Sequence, residues 1–252
     1  MPSGPVARLI SRLAAALHDG AAPSIPRIVH QTWKTWQVPS EIYDPRWVAS
    51  WTQHHPDWLY VLWTDERLRA LGRACYPEFE LFYREGVPGI YLADFGRYMV
   101  LHRFGGLYVD LDYECFRSLE PLLAGHRFVT SHTEPAGVEL NNALIAACPG
   151  HPLLRRYLEA CARRWREATR ERDVPLGSPG PITGPEMMTE VSAEFVAETG
   201  ERIQVHEARL LCPIDWRLGL SIHRGTLTPE VIARVQQDYP GAYAATYWTH
   251  AH

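Results

Sequence analysis

Residues 86–114, GVPGIYLADFGRYMVLHRFGGLYVDLDYE, constrain the fold more than any other stretch of the chain. A helix-like apolar run over 90–104 carries two charges, Asp94 and Arg97, and stops at Gly105-Gly106. An alternating segment, 107–112, follows and reads as a short strand. Side chains of a strand repeat every two residues, so Asp110 and Asp112 are expected on one side of the sheet, close enough to share one divalent cation. Such an arrangement suits the holding of a metal diphosphate.

The elements around it fall into an α/β order. IPRIVHQ reads as a first strand, WVASWTQHHP as a helix and its exit, and WLYVLWTD as a second strand closed by polar turn residues. Strands alternating with helices predict a mostly parallel sheet covered on both faces. Ligands of such sheets bind beyond the carboxyl ends of the strands, where Asp110 and Asp112 lie.

With 252 residues, 46% of them hydrophobic, the chain can bury a substantial core. Its formal net charge of −4 gives no general attraction to nucleic acid. Five cysteines without a CxxC pair fit a reducing compartment or inert buried thiols. Residues 1–24 read as an amphipathic helical extension, packed on the domain or lying on a membrane surface, and 25–252 as one domain. In HPLLRRYLEACARRWREATRERD, Leu154, Tyr157, Leu158, Cys161 and Trp165 form one helical face. Its arginines read as a solvated face, with docking to an anionic membrane or polyanionic acceptor as the alternative.

ADFGRYMVLHRFGGLYVDLD resembles the signature of the DxD-containing sugar transferases grouped with the Golgi initiating α-1,6-mannosyltransferase (glycosyltransferase family 32-like). The glucosylating domains of large cytotoxins are more distant kin. IPRIVHQTWK, WTQHHPDWLYVLWTD, NNALIAACPGHPLL and ITGPEMMT extend the likeness over roughly residues 25–190. The resemblance implies a GT-A-type, Rossmann-like α/β fold with flanking helices. Residues 25–123 would form its nucleotide-sugar-binding part, and 124–252 the acceptor side and C-terminal tail.

It also implies roles for particular residues. Asp112 would be the more direct ligand of Mn²⁺ or Mg²⁺, with Asp110 assisting; Asp94 and Arg97 would meet the donor sugar and diphosphate, with Tyr108 also facing the donor. His30, Gln31 and Thr32 fall in the nucleotide-contacting loop, where contact through the backbone is expected, and Trp33 is either a base-stacking ring or core. Asn141 and Asn142 match a block near the sugar pocket, yet asparagine also caps helices; Glu186 reads first as a helix-start carboxylate. Relatives carry a His-His-Trp block near the C-terminus where this chain has Thr246-Tyr247-Trp248-Thr249-His250-Ala251-His252. His250 or His252 is therefore a candidate metal ligand, with a frayed tail as the alternative.

The chemistry implied is retaining transfer of a sugar from a UDP- or GDP-sugar to a saccharide, lipid-linked, natural-product or protein acceptor. A bound cation neutralises the departing diphosphate, and hard cations take oxygen ligands. No apolar run approaches the ~20 residues of a membrane-spanning helix, which, against the anchored Golgi members, points to the cytoplasm with peripheral membrane contact. Two other classes stay open: a nucleotide-sugar-binding module without turnover, and a sugar-nucleotide hydrolase.

Overall fold

The computed structural model describes Leu13 and residues 24–134, 137–169, 177–215 and 229–249. The N-terminal extension expected over 1–24 thus lies almost wholly outside the described residues. Six strands form the main sheet: β1 (Ile28–Trp33), β2 (Leu59–Thr64), β3 (Gly106–Val109), β5 (Phe128–Ser131), β6 (Leu144–Ala147) and β7 (Gln204–His206), in the order β2-β1-β3-β6-β5-β7. The β1–β2, β1–β3 and β5–β7 pairs are parallel, and β6 runs antiparallel to both neighbours. A single reversed strand leaves the sheet mostly parallel, as the element order predicts.

The helices are α1 (Pro45–His54), α2 (Asp65–Cys75), α3 (Gly89–Phe104), α4 (Glu120–Leu123), α5 (Pro152–Ala168), α6 (Pro185–Thr199), α7 (Ala208–Leu211) and α8 (Pro229–Asp238). Alternation along the strands builds a layer on each face. Ile28, Tyr108, Ile145 and Ala147 join the core beneath α2, α3, α5 and α6. Val29, Leu107, Val109, Leu144 and Ala146 face the other way, onto Trp51, Leu119, Leu211 and Ala244. Helix α3 has no single apolar stripe because most of its circumference is covered, with buried residues on every side and the charges of Asp94 and Arg97 paired within. Gly96 brings α2 close to it, since a Cβ there would stand 2.8 Å from Leu68 Cδ1.

At the end of α3 the chain reverses through Gly105 (φ +62) and Gly106 (φ +100). A Cβ on Gly106 would sit 2.6 Å from the Ile28 carbonyl oxygen, so glycine is needed for conformation and for space. The strand that follows is shorter than the predicted 107–112. It stops at Val109 and the chain turns through Asp110, whose carbonyl accepts from Tyr113 N at 3.2 Å and Gln31 Nε2 at 3.1 Å. Beyond the turn, β4 (Tyr113–Cys115) leaves the main sheet and pairs antiparallel with β8 (Ala244–Thr246). That ribbon carries the C-terminal segment back to Asp112.

The fold bears on two further expectations. Asn141 and Asn142 precede strand β6, so neither caps a helix. Asn141 is committed to the turn, donating to Tyr113 Oη at 2.6 Å and accepting from Ala143 N at 3.0 Å. The arginine-rich helix is α5, and its exposed face is laced to neighbours: Arg155 to Glu78 and Glu159, Arg156 to Glu198, and Arg164 to Glu190. Those pairings fit the solvated-face reading.

Candidate active site

Strand β1 lies between β2 and β3, so consecutive connections leave it in opposite directions. The crevice at its carboxyl end is the switch point where ligands of open α/β sheets bind. A cleft opens there, lined by Thr32, Trp33 and Lys34 after β1, Asp65 after β2, and Asp110, Leu111 and Asp112 after β3. Tyr43, the start of α3 with Arg97, and Thr249 complete its wall.

Arg97 is the electrostatic hub. Its Nη2 stands 2.8 Å from Asp94 Oδ1 and 3.4 Å from Asp110 Oδ1, its Nη1 donates to the Asn142 carbonyl at 2.7 Å, and its guanidinium covers the Tyr108 ring at 4.7 Å. Burial opposes the charge, but Asp110, Tyr108 and Asp94 overcome that and raise the Arg97 pKa, so it stays a cation. Its Nε is buried with no hydrogen-bond partner among the described residues. A buried donor left over in this way is what an anionic ligand would satisfy.

Asp94, 3% exposed, stands behind Arg97 rather than in the cleft wall. It accepts from Asn142 Nδ2 at 3.2 Å and Thr183 Oγ1 at 2.8 Å as well as from Arg97. Tyr108 is likewise behind the wall: its hydroxyl donates to Asp110 Oδ1 at 2.7 Å and accepts from Thr32 Oγ1 at 2.9 Å. The structure thus brings Thr32, Arg97, Asp110 and Asp112 to the cleft, with Asp94, Tyr108 and Asn142 supporting them.

His30 and Gln31 do not present their side chains there. Trp63 Nε1 donates to His30 Nδ1 at 3.0 Å, so Nε2 carries the proton and donates to the Gly105 carbonyl at 2.8 Å. Burial pushes this imidazole down to about 4, against a weaker upward pull from Gly105. It is a neutral brace beneath the Gly105-Gly106 turn. Gln31 is equally spent, linking Tyr60 Oη at 2.8 Å to the Asp110 carbonyl.

Asp112 is fastened by the C-terminal segment. Thr249 N donates to Asp112 Oδ2 at 3.0 Å and Tyr247 N to the Asp112 carbonyl at 3.0 Å. Burial and the nearby Asp110 push the Asp112 carboxyl up to about 6. His250 and His252 lie outside the described residues. Among the described residues no cluster of three or more His, Cys, Asp or Glu could hold a metal. The donor set still fits a hard dication: two close carboxylates, one of them disfavoured as an anion, with Asp110 Oδ2 accepting no hydrogen bond among the described residues. Ligand oxygens and water would fill the remaining positions, as is usual for Mg²⁺.

Thr183, Thr249, Tyr43, Lys34 and Asp65 escaped the sequence reading as site residues. Thr183 had a signal, since it stands in the ITGP block. Lys34 and Asp65 likewise close the IPRIVHQTWK and WTQHHPDWLYVLWTD blocks and Thr249 stands in the C-terminal block, whereas Tyr43 is joined to the site only by the topology.

Residues 43–129 match the model of a family described as a glycosyltransferase sugar-binding region containing a DXD motif. Over 141 residues the chain is 39% identical to inositol phosphoceramide mannosyltransferase 3 of Schizosaccharomyces pombe, covering 55% of this chain and 37% of that protein. Over residues 43–129 the chain carries the DXD-containing region of this family. It is also 34% identical over 168 residues to the mannosyl phosphorylinositol ceramide synthase CSH1 of Saccharomyces cerevisiae, covering 67% of this chain and 43% of that one. The chain therefore spans under half the length of these two relatives. A solved structure titled PaToxG Glycosyltransferase shares the fold, with a TM-score of 0.52 at 12% identity over 95% of this chain and 96% of that one. The DXD of the family description corresponds to Asp110-Leu111-Asp112, and among the described residues no helix is long and apolar enough to cross a membrane.

Proposed function

We propose that this protein is a metal-dependent glycosyltransferase that moves a sugar from a nucleoside diphosphate sugar to an acceptor hydroxyl with retention of anomeric configuration. The observation that carries this reading is the meeting of Asp110, Asp112 and the charged Arg97 at the β1/β3 switch point. A bound Mn²⁺ or Mg²⁺ would supply charge neutralisation for the departing diphosphate. Arg97 adds a fixed cation on the same side, held in place by Asp94 and the Asn142 carbonyl before any ligand arrives. Thr32 and Trp33 border the path of the nucleoside.

Retention is supported by the placement of the two DXD carboxylates. Asp110 and Asp112 are two residues apart in one turn, not two carboxylates on separate elements flanking a sugar–oxygen bond. Departure and attack on one face of the sugar, with the leaving diphosphate oxygen taking the acceptor proton, needs no protein nucleophile. The relatives' names make a mannosyl donor and an inositol-phosphate ceramide the first acceptor system to try. An acceptor of that kind implies contact with a membrane surface, and a cytoplasmic site remains part of the same reading.

The test is release of nucleoside diphosphate from GDP-mannose and UDP-sugars with Mn²⁺, with and without inositol phosphoceramide or a soluble saccharide. Acceptor-dependent release giving an α-linked product, and its loss in Asp112→Asn, is the expected result. Release indifferent to every acceptor would make the protein a hydrolase. Binding without release would make it a donor-binding module.

A further inference from the structure

Lys34 and Asp65 line the cleft but have no part in the reading above. They follow β1 and β2 directly, and Asp65 N donates to the Lys34 carbonyl at 3.3 Å, holding the two strand ends side by side. Because β2 lies on the far side of β1 from β3, Asp65 stands about two strand spacings, ~10 Å, from the Asp110–Asp112 turn. A nucleotide covers such a gap with its ribose and base together, from the diphosphate to the hydrogen-bonding edge of the base.

The Asp65 carboxylate is half-buried, and no hydrogen bond reaches it among the described residues. Arg69, one turn along α2, gives its Nη1 to the Tyr83 and Arg84 carbonyls instead, at 2.7 and 2.5 Å. Burial disfavours the Asp65 charge while Arg69 and Lys34 favour it. An acid in the first turn of a helix is stabilising in itself, but Glu66 offers that from an exposed position. Nothing in the helix requires a second, cleft-facing acceptor. Beside it, Trp33 and Tyr43 form an aromatic wall with ring centroids 5.1 Å apart, and the Lys34 ammonium lies 5.4 Å from the Trp33 ring.

We propose that Asp65 is the base-reading residue of the donor site, accepting the adjacent N1–H and N2–H groups of a guanine while Lys34 donates to its O6. This rests on the donor-site reading above. An ionised carboxylate is acceptor-only, so it needs a base edge with donors. Guanine presents two side by side. Uracil presents one, flanked by carbonyl oxygens that would face the carboxylate. Loss of a hydrogen bond to a charged group costs about ten-fold or more in affinity, so inosine, which lacks the 2-amino group, isolates the second contact.

Calorimetric titration of the whole chain with GDP, IDP, UDP and 2′-deoxy-GDP in Mn²⁺ decides the matter. Wild type is expected to bind GDP at least about ten-fold tighter than IDP or UDP. Asp65→Asn is expected to lose most of the GDP-over-IDP margin, with UDP binding little changed. Several results would overturn the base reading and leave the donor site standing: UDP matching GDP in wild type, equal weakening of all nucleotides in Asp65→Asn, or a penalty tracking the 2′-hydroxyl. The wild-type GDP–IDP comparison stands even if the variant folds poorly. Absence of metal-dependent binding by any nucleotide would instead overturn the donor-site reading.

Discussion

Arg97 Nη2 lies 2.8 Å from Asp94 Oδ1 on its own helix, and the same nitrogen reaches Asp110 Oδ1 at 3.4 Å across the turn after β3. One guanidinium thereby ties the buried helix α3 to the carboxylate pair at the cleft. Arg97 and Asp94 are each 3% exposed, so solvent does little to screen them. Removing one partner of a buried pair strands the other charge and costs ~3–5 kcal/mol. Arg97→Met is expected to lower unfolding free energy in urea by about that amount and to abolish nucleotide binding. Arg97→Lys restores a charge without the fork that reaches Asp94 and the Asn142 carbonyl together, so it should recover part of the stability and little of the binding. A stable Arg97→Met protein with normal nucleotide affinity would contradict the role given to this residue.

Metal affinity should depend on pH through Asp112. Its carboxyl is pushed up to about 6 by burial and Asp110, and a cation binds only the ionised form. Affinity for Mn²⁺ is therefore expected to be flat well above about pH 6 and to fall up to about ten-fold per pH unit below it. The linkage to folding has the opposite sense. A carboxyl whose folded pKa is raised gives stability that is present below its ordinary 3.8 and lost as pH rises through about 6, so the metal-free protein gains from acidifying across that window at this one group. Titration calorimetry with Mn²⁺ across this range checks the first statement, and Asp112→Asn should remove both effects. An affinity that stays constant down to about pH 5 would count against Asp112 as a ligand.

The double glycine makes a prediction about the turn. Gly106→Ala puts a Cβ 2.6 Å from the Ile28 carbonyl oxygen at φ +100, where neither the backbone nor β1 can yield cheaply. A loss of ~2–4 kcal/mol is expected from strain and displaced packing together. Gly125→Ala is a suitable control, since its φ is also positive at +77 but nothing lies within 4 Å of the added carbon. It should cost only ~1 kcal/mol. Equal losses in the two variants would show that conformation alone, without the clash, governs Gly106.

The helix over 90–104, the glycine stop and the carboxylate pair were legible because each is local. Helix α3 begins within one residue of the expected position, at Gly89. The layering was legible too, through the alternation of strand residues between two cores. What stayed hidden depends on distant partners. Asp110-Leu111-Asp112 alternates like a strand but forms a turn: Asp110 N still bonds the Ala143 carbonyl in register with β6, while the Asp110 carbonyl turns to Tyr113 N and Gln31 Nε2. Asp94 looks like a ligand-facing acid until Thr183, 89 positions away, is seen to occupy it. Thr249 reaches Asp112 only because β8 pairs with β4.

His30 shows the same limit, and it separates a structural role from a binding one. The residue stands in the loop-entry strand that the family resemblance connects with nucleotide, yet its ring bridges Trp63 Nε1 and the Gly105 carbonyl inside the core. His30→Ala leaves both groups without their partner and opens a cavity, for an expected cost of ~2–4 kcal/mol. With its pKa pushed down to about 4 by burial, against the ordinary 6.5, His30 binds fewer protons folded than unfolded between those values, so it makes stability fall as pH drops through that interval. The variant should lose this component of the pH slope. Measured well below its melting temperature, it should bind nucleoside diphosphate and Mn²⁺ within about two-fold of wild type, a difference of only ~0.4 kcal/mol. A selective loss of nucleotide affinity with unfolding free energy unchanged would place the ring on the ligand instead of under the turn.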